Sequence, residues 1–261
     1  MMSVISGNWK MNGSKKDLEQ WFKDFFTQVN SFETNNTIKN DVLLLICVPD
    51  LYFTYANELA KKYNTTTKKL KIQIGLQDLH QEDKGAFTGN TSAVFAKEFE
   101  CKYSILGHSE RRQYQQETNG IVAQKAVNAL KHEITPLLCI GETLEVREAK
   151  KHLEFIKKQL LESIENVDIA KTIIAYEPVW AIGTGKVPTM EEIDEICTYI
   201  KKIVSQKTNL NTKDIKVLYG GSVKSSNVAE ISKIEAVDGV LVGGASLKGE
   251  EFFNIYKNSL R

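Results

Sequence analysis

Eight short β-type apolar runs, each followed by a longer helix-type stretch, recur along the chain at nearly even spacing. The runs are Val4–Asn8, Val42–Val48, Ile72–Gln77, Tyr103–Leu106, Thr135–Ile140, Thr172–Tyr176, Lys216–Tyr219 and Gly239–Val242. From the first start at 4 to the last at 239 there are seven gaps, a mean of about 34 residues, the size of one βα unit. The second run is apolar from Val42 to Val48 without a break, as expected of a parallel strand covered on both faces. Between the runs lie the amphipathic stretches Lys15–Asn30, Leu51–Tyr63, Thr118–Lys131, Leu144–Glu165, Met190–Val204, Ser225–Ile234 and Glu250–Asn258. In the fourth of these, Leu153, Ile156, Leu160 and Ile164 follow helical spacing and predict one buried face.

Eight such units predict an α/β fold, a closed (β/α)8 barrel in which residues 1–261 form one domain. Barrels of this kind commonly occupy about 250 residues as one domain. An open, doubly wound sheet would be favoured by a G-x-G-x-x-G after the first strand, and none is present. Gly183-Thr184-Gly185-Lys186 lacks the earlier glycine of a P-loop, and Val187 replaces its Ser/Thr.

Charge excludes further classes. Lys+Arg is 34 against Asp+Glu 33, a formal net charge of +1, without the cation surplus of a nucleic-acid-binding face. No apolar run approaches the roughly 20 residues of a membrane span. The segment from Met1 to Gly7 does not have the charged and apolar parts of a secretory leader, so a cytoplasmic location is expected. The four cysteines, Cys47, Cys101, Cys139 and Cys197, form no C-x-x-C pair, and no metal cluster is expected.

In such barrels the chemistry sits at the C-terminal ends of the strands. The first run ends in Asn8-Trp9-Lys10, where Lys10 offers a cation to an anionic substrate and Asn8 offers orientation. The fourth ends in Gly107-His108-Ser109-Glu110-Arg111-Arg112. His108 opens a helix-prone segment, whose positive end disfavours imidazolium and favours a neutral ring. The sixth ends in Tyr176-Glu177-Pro178, and Pro178 keeps Glu177 extended, a candidate general base with some desolvation. Trp180 and Ile182, with Gly183 and Gly185 beside them, suit a lid with amides available to an anion. The seventh and eighth runs end in Gly220-Gly221-Ser222 and Gly243-Gly244-Ala245-Ser246, the usual barrel position for phosphate.

Taken together and in order, Asn8-Trp9-Lys10, Gly85-Ala86-Phe87-Thr88-Gly89, the segment from Gly107 to Arg112, the segment from Ala175 to Lys186, Tyr219-Gly220-Gly221-Ser222 and Val242-Gly243-Gly244-Ala245-Ser246-Leu247 resemble the triosephosphate isomerase family. The resemblance runs from the first strand to the last. It implies interconversion of dihydroxyacetone phosphate and D-glyceraldehyde 3-phosphate through an enediolate, a step of glycolysis and gluconeogenesis. It further implies Glu177 as base, neutral His108 as electrophile and Lys10 as the fixed cation. Asn8, Lys10, Gly183, Ser222, Gly243 and Gly244 would bind the substrate, with no cofactor and no metal. The expected partners are the small triose phosphate and a second copy of the chain, with no nucleic acid or membrane. The Gly85–Gly89 loop would insert Thr88 near the partner's site. A non-catalytic phosphosugar-binding barrel would lack Glu177, His108 or Lys10, and a phosphoribosyl isomerase would explain the Gly-Gly turns but not the Glu-Pro lid.

Four positions depart from the family pattern. Asn90 stands where glutamate is usual, which predicts that Arg111 loses its customary ionic partner, and Asp78 replaces a common asparagine. Pro188 falls at the far lid hinge, and Ser31–Asn40 reads as a lengthened polar surface loop.

Overall fold

The computed structural model describes residues 2–36, 42–182 and 186–260. Eight parallel strands form one sheet among them: β1 (Val4–Asn8), β2 (Leu43–Cys47), β3 (Ile72–Gly75), β4 (Tyr103–Leu106), β5 (Thr135–Ile140), β6 (Ile173–Tyr176), β7 (Lys216–Tyr219) and β8 (Gly239–Val242). The strand order is β3-β2-β1-β8-β7-β6-β5-β4. Its two ends meet where the Leu76 amide donates to the Tyr103 carbonyl and the Ile105 amide donates to the Leu76 carbonyl, each at 3.0 Å. The sheet therefore closes on itself as a barrel, which leaves no long unpaired edge.

Alternation along the strands divides the core into two layers. Val4, Leu45, Cys47, Ile105, Leu137, Cys139, Ile173, Ala175, Leu218 and Leu241 fill the lumen. Their neighbours Ile5, Leu44, Ile46, Leu106, Leu138, Ile174, Val217 and Val240 point outward against the helices. A two-residue side-chain period requires this arrangement once both faces are covered.

The helices are α1 (Lys15–Asn35), α2 (Phe53–Asn64), α3 (Ala93–Glu98), α4 (Ser109–Tyr114), α5 (Asn119–Lys131), α6 (Leu144–Glu148), α7 (His152–Ser163), α8 (Met190–Thr208), α9 (Val228–Ile231) and α10 (Gly249–Asn258). Side chains satisfy many of their exposed first-turn amides: Ser14 caps α1, Thr118 caps α5, and Thr189 with Glu192 forms a capping box on α8. The α1 face carrying Trp21, Phe22, Phe25 and Phe26 is fully buried, with Phe252 and Phe253 of α10 packed against it. Each such aromatic removed from water contributes about 1.5–3 kcal/mol before entropy is counted.

Three sequence expectations need correction. Residues Ser31 to Asn35 belong to α1 and not to a loop, and residues 37–41 lie outside the described set. The predicted helix Leu144–Glu165 is two helices, broken where Lys150 takes a left-handed φ of 57°. The stretch Ser225–Ile234 forms only the single turn α9. Pro188, by contrast, lies just ahead of the Thr189 cap of α8, where its fixed φ does not interrupt the helix.

Candidate active site

Lys10 lies two residues beyond β1, with a left-handed φ of 53° that is unusual for a side chain of this kind. Two bonds hold that backbone, and a third anchors the donor of one of them. The Lys10 amide donates to Asn8 Oδ1 at 2.9 Å, and Gln77 Nε2 donates to the carbonyls of Lys10 and Cys47, both at 3.0 Å. Gln77 carries no motif of its own, so nothing local in the sequence marks it. The Lys10 ammonium lies 2.5 Å from Glu110 Oε1.

His108 ends the β4 segment as the cap of α4. Its Nδ1 accepts the Glu110 amide at 3.2 Å, which leaves the ring proton on Nε2. That Nε2 faces Glu177 Oε1 at 3.1 Å, and the Ser109 amide donates to Glu177 Oε2 at 3.3 Å. Glu177 is 2% exposed and His108 5%. Burial opposes charge on both groups, and each partner reverses the outcome for the other. Glu177 and Glu110 raise the His108 pKa above its ordinary value. His108, the Ser109 amide and Lys10 lower the Glu177 pKa. The helix end alone argued for a neutral ring. It supplies the amide that fixes the tautomer, while the carboxylate opposite supplies the upward pull.

The Glu177 backbone is set by close packing. A Cβ added to Gly141, just past β5, would lie 1.6 Å from the Glu177 carbonyl oxygen, so only glycine fits there. Beyond Glu177 the chain turns through Val179–Ala181, and Trp180 Nε1 donates to the buried Glu142 Oε1 at 3.0 Å. Tyr176 donates its hydroxyl to the same oxygen at 3.1 Å. Gly183, expected at the phosphate, and Gly185 lie outside the described residues.

Asn8, Lys10, His108, Glu177, Ser222, Gly243 and Gly244 line one cavity of ≈ 380 Å³, together with Gly220, Gly221, Ile182 and Leu241. In the same cavity, Gly244 opens a 3₁₀ turn, Gly244–Leu247, directly after Gly243. A Cβ at Gly244 would meet nothing within 4 Å, and one at Gly243 only Lys10 Cε at 4.0 Å. This glycine cradle is open, and it opens beside the lysine.

Arg111 is not short of partners. Its Nη2 contacts Asp78 Oδ2 at 2.8 Å and its Nε donates to Glu117 Oε1 at 2.6 Å. Lys125, nearly fully buried, bridges the same two carboxylates at 2.8 and 2.5 Å. Asp78 thus provides within the chain a carboxylate for Arg111 that an asparagine at 90 cannot. Among the described residues no group of three or more His, Cys, Asp or Glu is placed to hold a metal ion.

The fold and cavity define a class: a (β/α)8 barrel with a carboxylate–imidazole pair sharing one cavity with an open glycine cradle and one fixed cation. A model of the triosephosphate isomerase family matches residues 3–259. The triosephosphate isomerase of Alkaliphilus oremlandii is 41% identical over 256 residues, covering 97% of each chain. That of Mesomycoplasma hyorhinis is also 41% identical, over 255 residues and 97% of each. The crystal structure of triosephosphate isomerase from Bartonella henselae superposes with a TM-score of 0.86 at 33% identity, covering both chains completely. The chain belongs to the triosephosphate isomerase family.

Proposed function

We propose that this protein interconverts dihydroxyacetone phosphate and D-glyceraldehyde 3-phosphate, with Glu177 as the base and neutral His108 as the electrophile. The observation that carries the assignment is the meeting of Lys10, His108 and Glu177 in one cavity with Gly243, Gly244 and Ser222. Glu177, with its pKa held below the ordinary carboxylate value, is ionised at neutral pH and takes a proton from the substrate carbon. The His108 Nε2 proton polarises the carbonyl oxygen, and the ring then moves protons between the two oxygens of the enediolate. A substrate seated between the two side chains takes over the N–H donor. The Glu110 amide at Nδ1 then keeps the ring neutral. Lys10 stabilises the developing negative charge, Asn8 orients it, and the amides of Gly183, Gly243 and Gly244 with Ser222 receive the phosphate. This division of labour between glutamate and histidine is the established chemistry of the family. No cofactor enters it. A coupled assay starting from D-glyceraldehyde 3-phosphate tests the reading, and absence of turnover at micromolar enzyme rejects it.

We also propose a cytoplasmic homodimer. Among the described residues no helix is long and apolar enough to cross a membrane. Met11, Leu51, Phe87 and Tyr114, exposed at 95, 90, 42 and 69%, follow β1, β2, β3 and β4 at the same end of the barrel. Those four strands are consecutive around the ring, so the four apolar side chains share one sector, and so concentrated an apolar surface suits association. Thr88, beside Phe87, would then approach the partner's site. Light scattering at micromolar concentration should give twice the chain mass, and a fully active monomer rejects this part.

A further inference from the structure

Glu142 anchors the segment that carries Glu177 from both sides. Its Oε1 accepts the Tyr176 hydroxyl at 3.1 Å and Trp180 Nε1 at 3.0 Å, and its carbonyl accepts the Val179 amide at 3.0 Å. The turn before it is fixed as well, because the Gly141 amide donates to Gln159 Oε1 at 2.8 Å. The Glu142 side chain is fully buried, and both donors bonded to it are neutral. Its Oε2 is buried without a hydrogen-bond partner among the described residues. A carboxylate so placed costs free energy unless a cation stands near it.

Arg147 of α6 supplies that cation. Its Nη1 lies 3.7 Å from Glu142 Oε1, and this nitrogen too is buried without a hydrogen-bond partner. At that distance the contact is one of charge with charge, which is strong away from water. The guanidinium also stands over the Trp180 ring, 5.9 Å from its centroid. Its Nη2 donates to Glu192 Oε1 at 2.8 Å, and Glu192 closes the capping box of α8. One guanidinium therefore faces the anchor of the Glu177 segment, the indole bonded to that anchor, and the first turn of the next helix.

We infer that Arg147 is a positioning residue for the isomerisation, acting through Glu142 and Trp180 to hold the segment from Tyr176 to Trp180, and with it the Glu177 carboxylate. Arg147 does not line the substrate cavity, so its effect falls on kcat more than on KM. The kinetic consequence rests on Glu177 being the base; the placement of Trp180 does not.

Steady-state kinetics and fluorine NMR of protein labelled with 5-fluorotryptophan test this, since Trp9, Trp21 and Trp180 are the tryptophans of the chain. Arg147→Met should lower kcat by about ten- to a hundredfold, the scale of a misplaced reacting group, and should move the Trp180 signal but not those of Trp9 and Trp21. Glu142→Gln keeps an acceptor oxygen and removes the charge that Arg147 faces. In that background Arg147→Met should cost much less kcat than it does alone, a coupling that a purely structural role does not produce. Glu192→Gln retains the capping box, which glutamine also serves, and removes the charged partner of Nη2. It should lower kcat by up to about fivefold, as for a partly exposed ion pair, and move the Trp180 signal the same way. Equal losses from Arg147→Met in the two backgrounds, an unmoved Trp180 signal, or a loss carried wholly by KM overturns the inference. If Arg147→Met does not reach the wild-type circular dichroism, Glu192→Gln decides, and unchanged kcat and Trp180 signal there overturn it. A wild type that binds but does not isomerise triose phosphate rejects the catalytic reading alone, and the Trp180 signal then decides the role of Arg147.

Discussion

Two carboxylates in this barrel are largely removed from water, Asp78 less completely than Glu177, and they titrate in opposite directions. Glu177 is pulled below its ordinary value, whereas burial pushes Asp78 up to about 6, with the nearby Glu117 adding to it. Count of cations does not explain this, because Asp78 touches two, Lys125 and Arg111, while Glu177 touches none that is permanent. Sharing does. Lys125 and Arg111 serve Glu117 as well, whose Oε2 is buried without a partner. Glu177 instead has His108 and the Ser109 amide, and neither bonds a second carboxylate through the same proton. A site for proton transfer needs the second arrangement: a carboxylate kept ionised by a partner that substrate can replace. The Asp78 network is a closed set of charges with nothing to exchange.

The largest expected effect therefore falls on rate and belongs to Glu177. Glu177→Gln keeps size and hydrogen-bonding capacity but removes the proposed proton acceptor, so kcat should drop by roughly 10² to 10⁴ in steady-state assays. A loss smaller than tenfold would place the base elsewhere.

The next effect falls on stability. Lys125→Met leaves Asp78 and Glu117 with Arg111 alone, in a region where both acids are largely buried. Breaking a buried ionic set from one side costs about 3–5 kcal/mol, read as a lowered urea midpoint at fixed protein concentration. Turnover by the folded fraction should stay close to wild type, because Lys125 does not line the substrate cavity.

Asp78→Asn separates the two carboxylates by pH. The folded-state pKa is raised from 3.8 to about 6, so ionising Asp78 costs folding stability as pH rises through that window. The asparagine variant escapes that cost. The wild type should lose stability relative to it between about pH 4 and pH 6, by on the order of 3 kcal/mol, and the difference should level off above. Unfolding curves at several pH values check this, and a difference independent of pH removes Asp78 as the titrating group.

The residues that meet in the cavity are readable in the sequence because each ends or follows a run whose register is fixed by two-residue alternation. Glu177 is preceded by Ile173 to Tyr176 and followed by Pro178, and the Gly-Gly turns close the last two strands. The charge network was not readable. Asp78 and Lys125 are 47 positions apart, and nothing local marks Lys125 as inward-facing within α5. Likewise, Glu148-Ala149-Lys150-Lys151 contains good helix formers and no glycine or proline, so the break at Lys150 has no local cause in the sequence. Gln77 and Gln159 act through bonds to distant backbone, which composition and periodicity do not register.

Arg111→Met makes the smallest and most discriminating change. Arg111 holds the same two carboxylates as Lys125, but its side chain is 33% exposed against 4% for Lys125. Water can replace much of what Arg111 supplies, so the expected cost is about 1 kcal/mol, near the range of exposed ion pairs. Its loss also removes one of the two cations that lower the Asp78 pKa, so the stability change assigned to Asp78 should move to higher pH. That shift separates an electrostatic role from a packing one, since lost packing would lower the whole curve without moving its inflection. If Arg111→Met costs as much as Lys125→Met, and the cost grows on dilution, then Arg111 is also being used by a second copy of the chain.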